Sequence, residues 1–455
     1  MNMTKNPFFA RPTWKRAASQ KIAFVNARVI DASSNFDQHG YVLVAGDSII
    51  AVEKGKFDDD SSHDFEIIDC GGHVLTAGLL DIQVHFREPG FEYKETIATG
   101  SKSAAAGGVT LVACMPNTNP VIDDVSIVDF VHNRARETAY VNVRTYGAIS
   151  KGLKGEDLTE MWRLVKAGAV GFTDDGLPLM NAGLMRQALT YSKDLGVPIA
   201  QHAEDLHLSA GGCMNEGATS ARLGVKGVPN AAEAVMVERD ILLTELTGGQ
   251  YHVLHISTHE AIDAVRRAKD KGLRVTCEAA PHHFCLNDEV VAQHSSLAKM
   301  NPPLRAEKDR LAIIAGLKDG TIDAIATDHA PHESEAKEQV PLQQAAFGIV
   351  GLETMLPLSL GLYHQGQMPL IDVMAALTYK PADIIHVDSG RLKVGAKADL
   401  VLIDLYYDWE LNPDSFVSRS KNSPFAGQKV KGRTLQTYVG GELVYSIVNS
   451  FYLSR

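Results

Sequence analysis

The sequence predicts an α/β protein: a closed (β/α)8 barrel of the TIM type, carrying a small β-sandwich domain formed by both termini. Three observations point there. Eight short apolar runs recur in the middle of the chain, each followed by a helical stretch. Short-strand patterns with tight turns occupy both ends, which resemble each other more than they resemble the middle. The C-terminal ends of the middle runs carry histidines and aspartates, at the face where such a barrel keeps its active site.

In chain order, the first 21 residues hold Lys5, Arg11, Lys15, Arg16 and Lys21 and no acid. This reads as a flexible basic tail over 1–20, although an organellar presequence would share the composition. Residues 21–31 mix β-branched and polar residues. Then 41–44, Gly46-Asp47-Ser48 and 49–52 read as strand, tight turn, strand. After Thr76 the rhythm changes to apolar runs at 79–86, 109–115, 141–147, 169–173, 197–203, 251–256, 273–279 and 322–327. Helical patterns such as 95–106, 125–137 and 260–271 lie between them. The long connections 204–250 and 280–321 carry helical segments of their own. Short strands return at 398–404 and, around Gly440-Gly441, within 434–445. The expected units are the tail, a composite β-sandwich domain from 21–75 and 388–447, and the barrel at 76–387.

The chain has 455 residues, 45% hydrophobic and 22% charged, which suits a globular protein with a large core. A formal net charge of −11 argues against a nucleic-acid partner, since phosphate binding wants a basic surface. No run of apolar residues is long enough to span a membrane. The five cysteines (Cys70, Cys114, Cys213, Cys277, Cys285) show no CxxC pair and read as reduced thiols of a cytosolic protein.

On an ideal strand Gln83, His85 and Arg87 share one face, with Ile82, Val84 and Phe86 on the other. The later run ends offer Asn117, Asp174-Asp175-Gly176, His202-Ala203-Glu204-Asp205, His255, His282-His283, and Asp328-His329 with His332. Imidazoles and carboxylates converging on one mouth are what a borderline metal such as zinc selects. Such a metal would polarise a carbonyl and acidify a water. Asp328 could take the water proton and pass it to a leaving nitrogen, which is amide hydrolysis. Arg87 and Asn117 could hold a carboxylate, the guanidinium in bidentate fashion. His252 is out of register with His255 and reads as structural. His282, His283 and His329 are packing or supporting candidates.

These residues resemble the metal-dependent amidohydrolases, and closely the dihydroorotases of the bacterial long-chain type. The resemblance runs from about Val25 to Tyr445 and rests on Arg87-Glu88-Pro89-Gly90, Met115-Pro116-Asn117-Thr118, Phe172-Thr173-Asp174-Asp175-Gly176, His255-Ile256-Ser257-Thr258, Met300-Asn301-Pro302-Pro303-Leu304-Arg305, Ala326-Thr327-Asp328-His329-Ala330-Pro331-His332 and the stretch from Phe347 to Thr354. It implies reversible interconversion of dihydroorotate and N-carbamoyl-L-aspartate in pyrimidine synthesis, by a cytoplasmic, zinc-dependent hydrolase. Asp175, His202 and His255 would bind the more protected metal, and His85 and Asp328 a second, with Asp175 bridging. Asp328 would also be the general base and acid. Arg87, Asn117 and His332 would take the substrate carboxylate, and Asn301 the ring. Hydantoinases and allantoinases typically bridge with a carboxylated lysine where this chain has Asp175; together with Arg87, this favours dihydroorotase over those cyclic amidohydrolases.

One departure stands out: Gln83 occupies the first position of the family's His-x-His. An amide is a weak ligand beside imidazole, so one firmly bound Zn2+ is expected, with the second site weakened or empty. The rival to an active enzyme is an inactive homologue that partners aspartate transcarbamoylase. The resemblance also implies a homodimer and allows that transcarbamoylase association. Residues 210–212 and 333–344 are the expected mobile segments near the site.

Overall fold

The computed structural model of the chain describes residues 8–9, 20–58 and 64–447. Its middle is an eight-stranded parallel sheet. The strands are β1 (Leu79–Val84), β2 (Val109–Cys114), β3 (Asn142–Gly147), β4 (Ala169–Phe172), β5 (Ile199–Gln201), β6 (Tyr251–Val253), β7 (Val275–Ala279) and β8 (Ala324–Ile325), each bonded to the next. The ring closes where the His85 N–H donates to the His329 carbonyl at 2.9 Å and Val84 bridges in parallel to His329. The three expected helices are Ile97–Ala106, Val125–Thr138 and His259–Asp270. Each starts behind a side chain that accepts from its first turn (Thr96, Asp124 and Thr258), which satisfies donors the helix cannot.

Two apolar layers fix which way each strand residue points. An outer layer packs strand residues such as Val84, Val112, Phe172 and Val253 against helix residues such as Ile97, Val131, Leu184 and Val265. An inner cluster draws Leu80, Ile82, Leu111, Tyr146, Val170, Ala200, Leu254 and Ala326 into the barrel, joined by Ala382, Ile384 and Ile385. This overturns the simple alternation expected of β1. Ile82 is inside the barrel while Val84 and Phe86 belong to the outer layer. The register shifts between Asp81 and Val84, and an inserted residue at such a bulge turns the following side chains to the other face.

The two ends of the chain build a nine-stranded sheet of their own. Leu400–Glu410 pairs antiparallel with Val74–Ala77, whose other edge runs parallel to Lys21–Asp31. Phe24 lies on Lys21–Asp31 and Tyr438 on Lys429–Val439, three steps apart in the sheet order. A flat sheet would hold them about 14 Å apart. Their ring centroids are 4.8 Å apart, so the sheet curls over itself and encloses a separate core. The basic tail expected over 1–20 lies outside the described residues, apart from Gln20 and from Phe8–Phe9, which pairs antiparallel with Glu442–Ser446. Among the described residues no helix is long and apolar enough to cross a membrane.

Candidate active site

The expected runs extend past the strands the structure forms. β6 stops at Val253 and β8 at Ile325. Just beyond, the backbone turns left-handed at His255 (φ 34°) and Asp328 (φ 47°), as it does after β1 at Arg87 (φ 63°). Side-chain-bearing residues adopt this conformation at a cost, and such strain gathers at functional sites. All nine residues expected to act (His85, Arg87, Asn117, Asp175, His202, His255, Asn301, Asp328 and His332) line one cavity of about 240 Å³ at this mouth. Gly176, Met300, Ala330, Phe347 and Gly348 complete its wall; the sequence offers them within the family motifs but assigns them no role.

The donors form two groups that share Asp175: Asp175 with His202 and His255, and Asp175 with His85 and Asp328, the donor atoms of each group lying within 4.8 Å of one another. His85 Nε2 faces Asp328 at 3.0 Å and Asp175 at 3.2 Å, and its Nδ1–H donates to Asn117 Oδ1 at 2.9 Å. His202 Nε2–H donates to Glu204 at 3.0 Å, which leaves Nδ1 toward Asp175 at 3.6 Å. In both rings a hydrogen bond on one nitrogen frees the lone pair of the other for the centre. Burial pushes the imidazole pKa values down, but the facing carboxylates outweigh it and hold His85 at about 9 and His202 at about 10. Burial pushes Asp175 up, yet the three imidazoles bring it well below the ordinary carboxylate range. Asp175 Oδ1 is buried with no hydrogen-bond partner, 3.4 Å from His255 Nε2. Two imidazoles facing a carboxylate oxygen that has no hydrogen-bond partner fit a zinc-like divalent ion, which would displace the proton His202 otherwise holds.

Neighbouring groups set these side chains from behind. Asp174 accepts from the Ile149 and Ser150 N–H groups at 2.8 and 3.0 Å and so fixes the turn that aims Asp175. Glu233 accepts from the Ser257 and Thr258 N–H groups at 3.1 and 2.9 Å and holds the loop after His255. Glu204 also receives Asn301 Nδ2 at 2.8 Å; an acid two residues after a candidate ligand histidine was the available signal for it. Asn422, from the composite sheet domain, donates to the Ala330 and Gly348 carbonyls and accepts from the His332 N–H, all at 3.0 Å. No local pattern announces that residue.

Gln83 holds the position where the sequence departs from the family's His-x-His. It is fully buried, neither amide atom has a hydrogen-bond partner, and it is not part of the cavity wall. The register of β1 shifts between Asp81 and Val84, the stretch that contains Gln83. His252 packs inside the barrel with Nδ1 2.8 Å from Thr276 Oγ1, and His283 Nε2 donates to the Pro302 carbonyl at 2.9 Å. His329 accepts from the Gly351 N–H and closes the barrel. None of these lines the cavity.

The segment expected to be mobile over 333–344 is pinned. Lys337, fully buried, donates to the Lys299 and Ala346 carbonyls at 2.6 and 3.0 Å, and Lys299 donates to the Leu342 and Gln343 carbonyls. Burial, then the charge of Lys299, pushes the Lys337 pKa down from 10.5 to about 7. Between those values the unfolded chain binds the extra proton, so stability rises with pH across the window. Replacing Lys337 with Met is expected to flatten that rise in urea unfolding compared at about pH 7 and about pH 10. An unchanged slope would show that this amine is not the source.

Comparison with known proteins adds a family to this geometry. A family profile described as dihydro-orotase-like matches residues 72–261. The chain is 59% identical over 427 residues to a protein named dihydroorotase from Wolbachia sp. subsp. Drosophila simulans (strain wRi), covering 94% of this chain and 96% of that one. It is 50% identical over 418 residues to a protein of the same name from Geobacter sp. (strain M21), covering 92% and 97%. Among solved structures, the L-hydantoinase (dihydropyrimidinase) of Arthrobacter aurescens is similar with a TM-score of 0.83 at 25% identity, over 93% of this chain and 95% of that one.

Proposed function

The chain belongs to the dihydroorotase family, and from that membership we propose how its site works. The reaction is reversible hydrolysis of the cyclic amide of (S)-dihydroorotate to N-carbamoyl-L-aspartate in de novo pyrimidine biosynthesis. The observation that carries the reading is one carboxylate, Asp175, shared by two donor groups, with Asp328 on one side and the cations Arg87 and Lys94 beside His332 on the other. A divalent ion held by Asp175, His202 and His255 would supply polarisation of the amide carbonyl and a water of lowered pKa. Asp328 takes a proton from the attacking water as its oxygen bonds to the ring carbonyl carbon. It returns that proton to the ring nitrogen as the C–N bond breaks, and the reverse reaction runs through the same two transfers. Arg87, Asn117 and His332 hold the carboxylate, and Asn301 meets the ring. Burial pushes the Arg87 pKa down to about 10, which keeps the guanidinium charged at neutral pH.

We place the firmly bound metal, zinc by donor chemistry, at Asp175, His202 and His255, with the group of His85, Asp175 and Asp328 weaker. Protein dialysed against a weak chelator is then expected to retain about one zinc per chain by elemental analysis, since the firm group offers two imidazoles where the other offers one and the two share Asp175. Gln83→Met should leave that content unchanged, because an amide is a weak zinc ligand and the firm set of Asp175, His202 and His255 is complete without it. Two retained ions, or a loss of zinc in Gln83→Met, would overturn the assignment. The homodimer, the aspartate transcarbamoylase association and the cytoplasmic location implied by the resemblance remain part of this proposal. The reaction itself is tested by following ring opening of dihydroorotate with purified protein, with and without added zinc. No turnover in any metal condition would refute it.

A further inference from the structure

The cationic side of the cavity holds a mismatch of donors. His332 Nε2 lies 3.4 Å from Arg87 Nη2, and His332 Nδ1 lies 3.4 Å from Lys94 Nζ. Guanidinium and ammonium groups have no lone pair and only donate, whereas a neutral imidazole has one N–H and one lone pair. His332 can therefore accept from only one of these neighbours. Protonating it offers no escape, because burial and then the charges of Arg87 and Lys94 push its pKa down to about 2. Arg87 lines the cavity and its Nε has no hydrogen-bond partner. Lys94 sits behind His332, its side chain 17% exposed, with Glu333 3.9 Å away. Its backbone is anchored there: the Lys94 carbonyl accepts from Ser420 Oγ at 2.7 Å, and Glu95 accepts from the Arg419 N–H at 3.2 Å.

If the ammonium takes Nδ1, the ring proton resides on Nε2, beside Arg87 Nη2. Both donors are then satisfied only when an oxygen of an anion enters between them. Without the ammonium, Nε2 accepts from Arg87 and the proton moves to Nδ1, away from that oxygen. We propose that Lys94 is a positioning residue for the substrate carboxylate, acting through His332: it holds Nδ1 as an acceptor so that the Nε2–H and Arg87 form a two-donor seat for one carboxylate oxygen. The identity of the anion rests on the dihydroorotase reading; the seat itself rests on the three side chains.

Steady-state kinetics on Lys94→Met and Lys94→Arg test this. Lys94→Met is expected to raise KM for dihydroorotate about 10-fold with kcat within about 2-fold, since one charge-assisted donor is worth roughly a power of ten in affinity. Lys94→Arg still donates to Nδ1 and should recover most of that loss. Inhibition by dihydroorotate methyl ester, which carries no carboxylate, should be the same in all three proteins. An unchanged KM in Lys94→Met, an equal loss in Lys94→Arg, or a fall in kcat and Tm without a change in KM would overturn the proposal. Turnover by the unsubstituted protein is read separately, so a failed seat and a failed reaction assignment give different results.

Discussion

Replacing Asp328 with Asn is expected to lower kcat about 10²–10⁴-fold in both directions, the range that one positioned acid–base group contributes. The substitution keeps the size of the side chain and removes its ability to carry a proton between water and ring nitrogen. Asp328 Oδ1 also faces His85 Nε2 at 3.0 Å, so the weaker metal group loses a charged donor at the same time. The firm group of Asp175, His202 and His255 does not include Asp328, and the zinc retained after dialysis should stay near that of the unsubstituted protein. KM should change little, because the carboxylate-holding residues are untouched. Normal kcat in Asp328→Asn would remove this residue from the chemistry.

Asp175→Ala is expected to have the broader effect, since both donor groups depend on that carboxylate. Its oxygens lie 3.2 Å from His85, 3.6 Å from His202 and 3.4 Å from His255. Removing it leaves three imidazoles facing one another with no central negative charge. Losing a supporting partner of a ligand already costs 10–100-fold in metal affinity, so losing the shared donor should cost more than about 100-fold. The expected result is protein that emerges from dialysis without zinc and turns over no dihydroorotate. Zinc content, measured apart from activity, decides whether the defect lies in holding the ion. A variant that kept its zinc would place the ion elsewhere.

Much of the site was legible because each acting residue sits where a strand ends. His85, Asp175, His202, His255 and Asp328 come from five different strand ends, and a parallel barrel leaves them one place to meet. The same reasoning failed where local geometry broke its own period. The alternation that grouped Ile82 with Val84 and Phe86 assumes an unbroken pleat, and the register shift between Asp81 and Val84 removes that assumption. The expected strands run too long because apolar character continues past Val253 and Ile325, where the regular strands end ahead of left-handed His255 and Asp328. Asn422 and Lys337 were invisible for another reason. Their side chains bond to backbone carbonyls, and Asn422 reaches Ala330 across 92 positions of sequence. No periodicity encodes which distant carbonyl will need a donor.

The composite sheet has a consequence for how the protein is made. As the nascent chain leaves the ribosome, Val74–Ala77 can pair with Lys21–Asp31 early, but its second edge waits for Leu400–Glu410, the partner that completes it. Throughout that interval the barrel is translated beside an open strand edge, the kind of surface that recruits stray strands and invites chaperones. Asn422 arrives later still, so the loops bearing Ala330, His332 and Gly348 gain their tether only near the close of translation. A ribosome stalled before that point would carry a nearly finished barrel with an unfinished mouth.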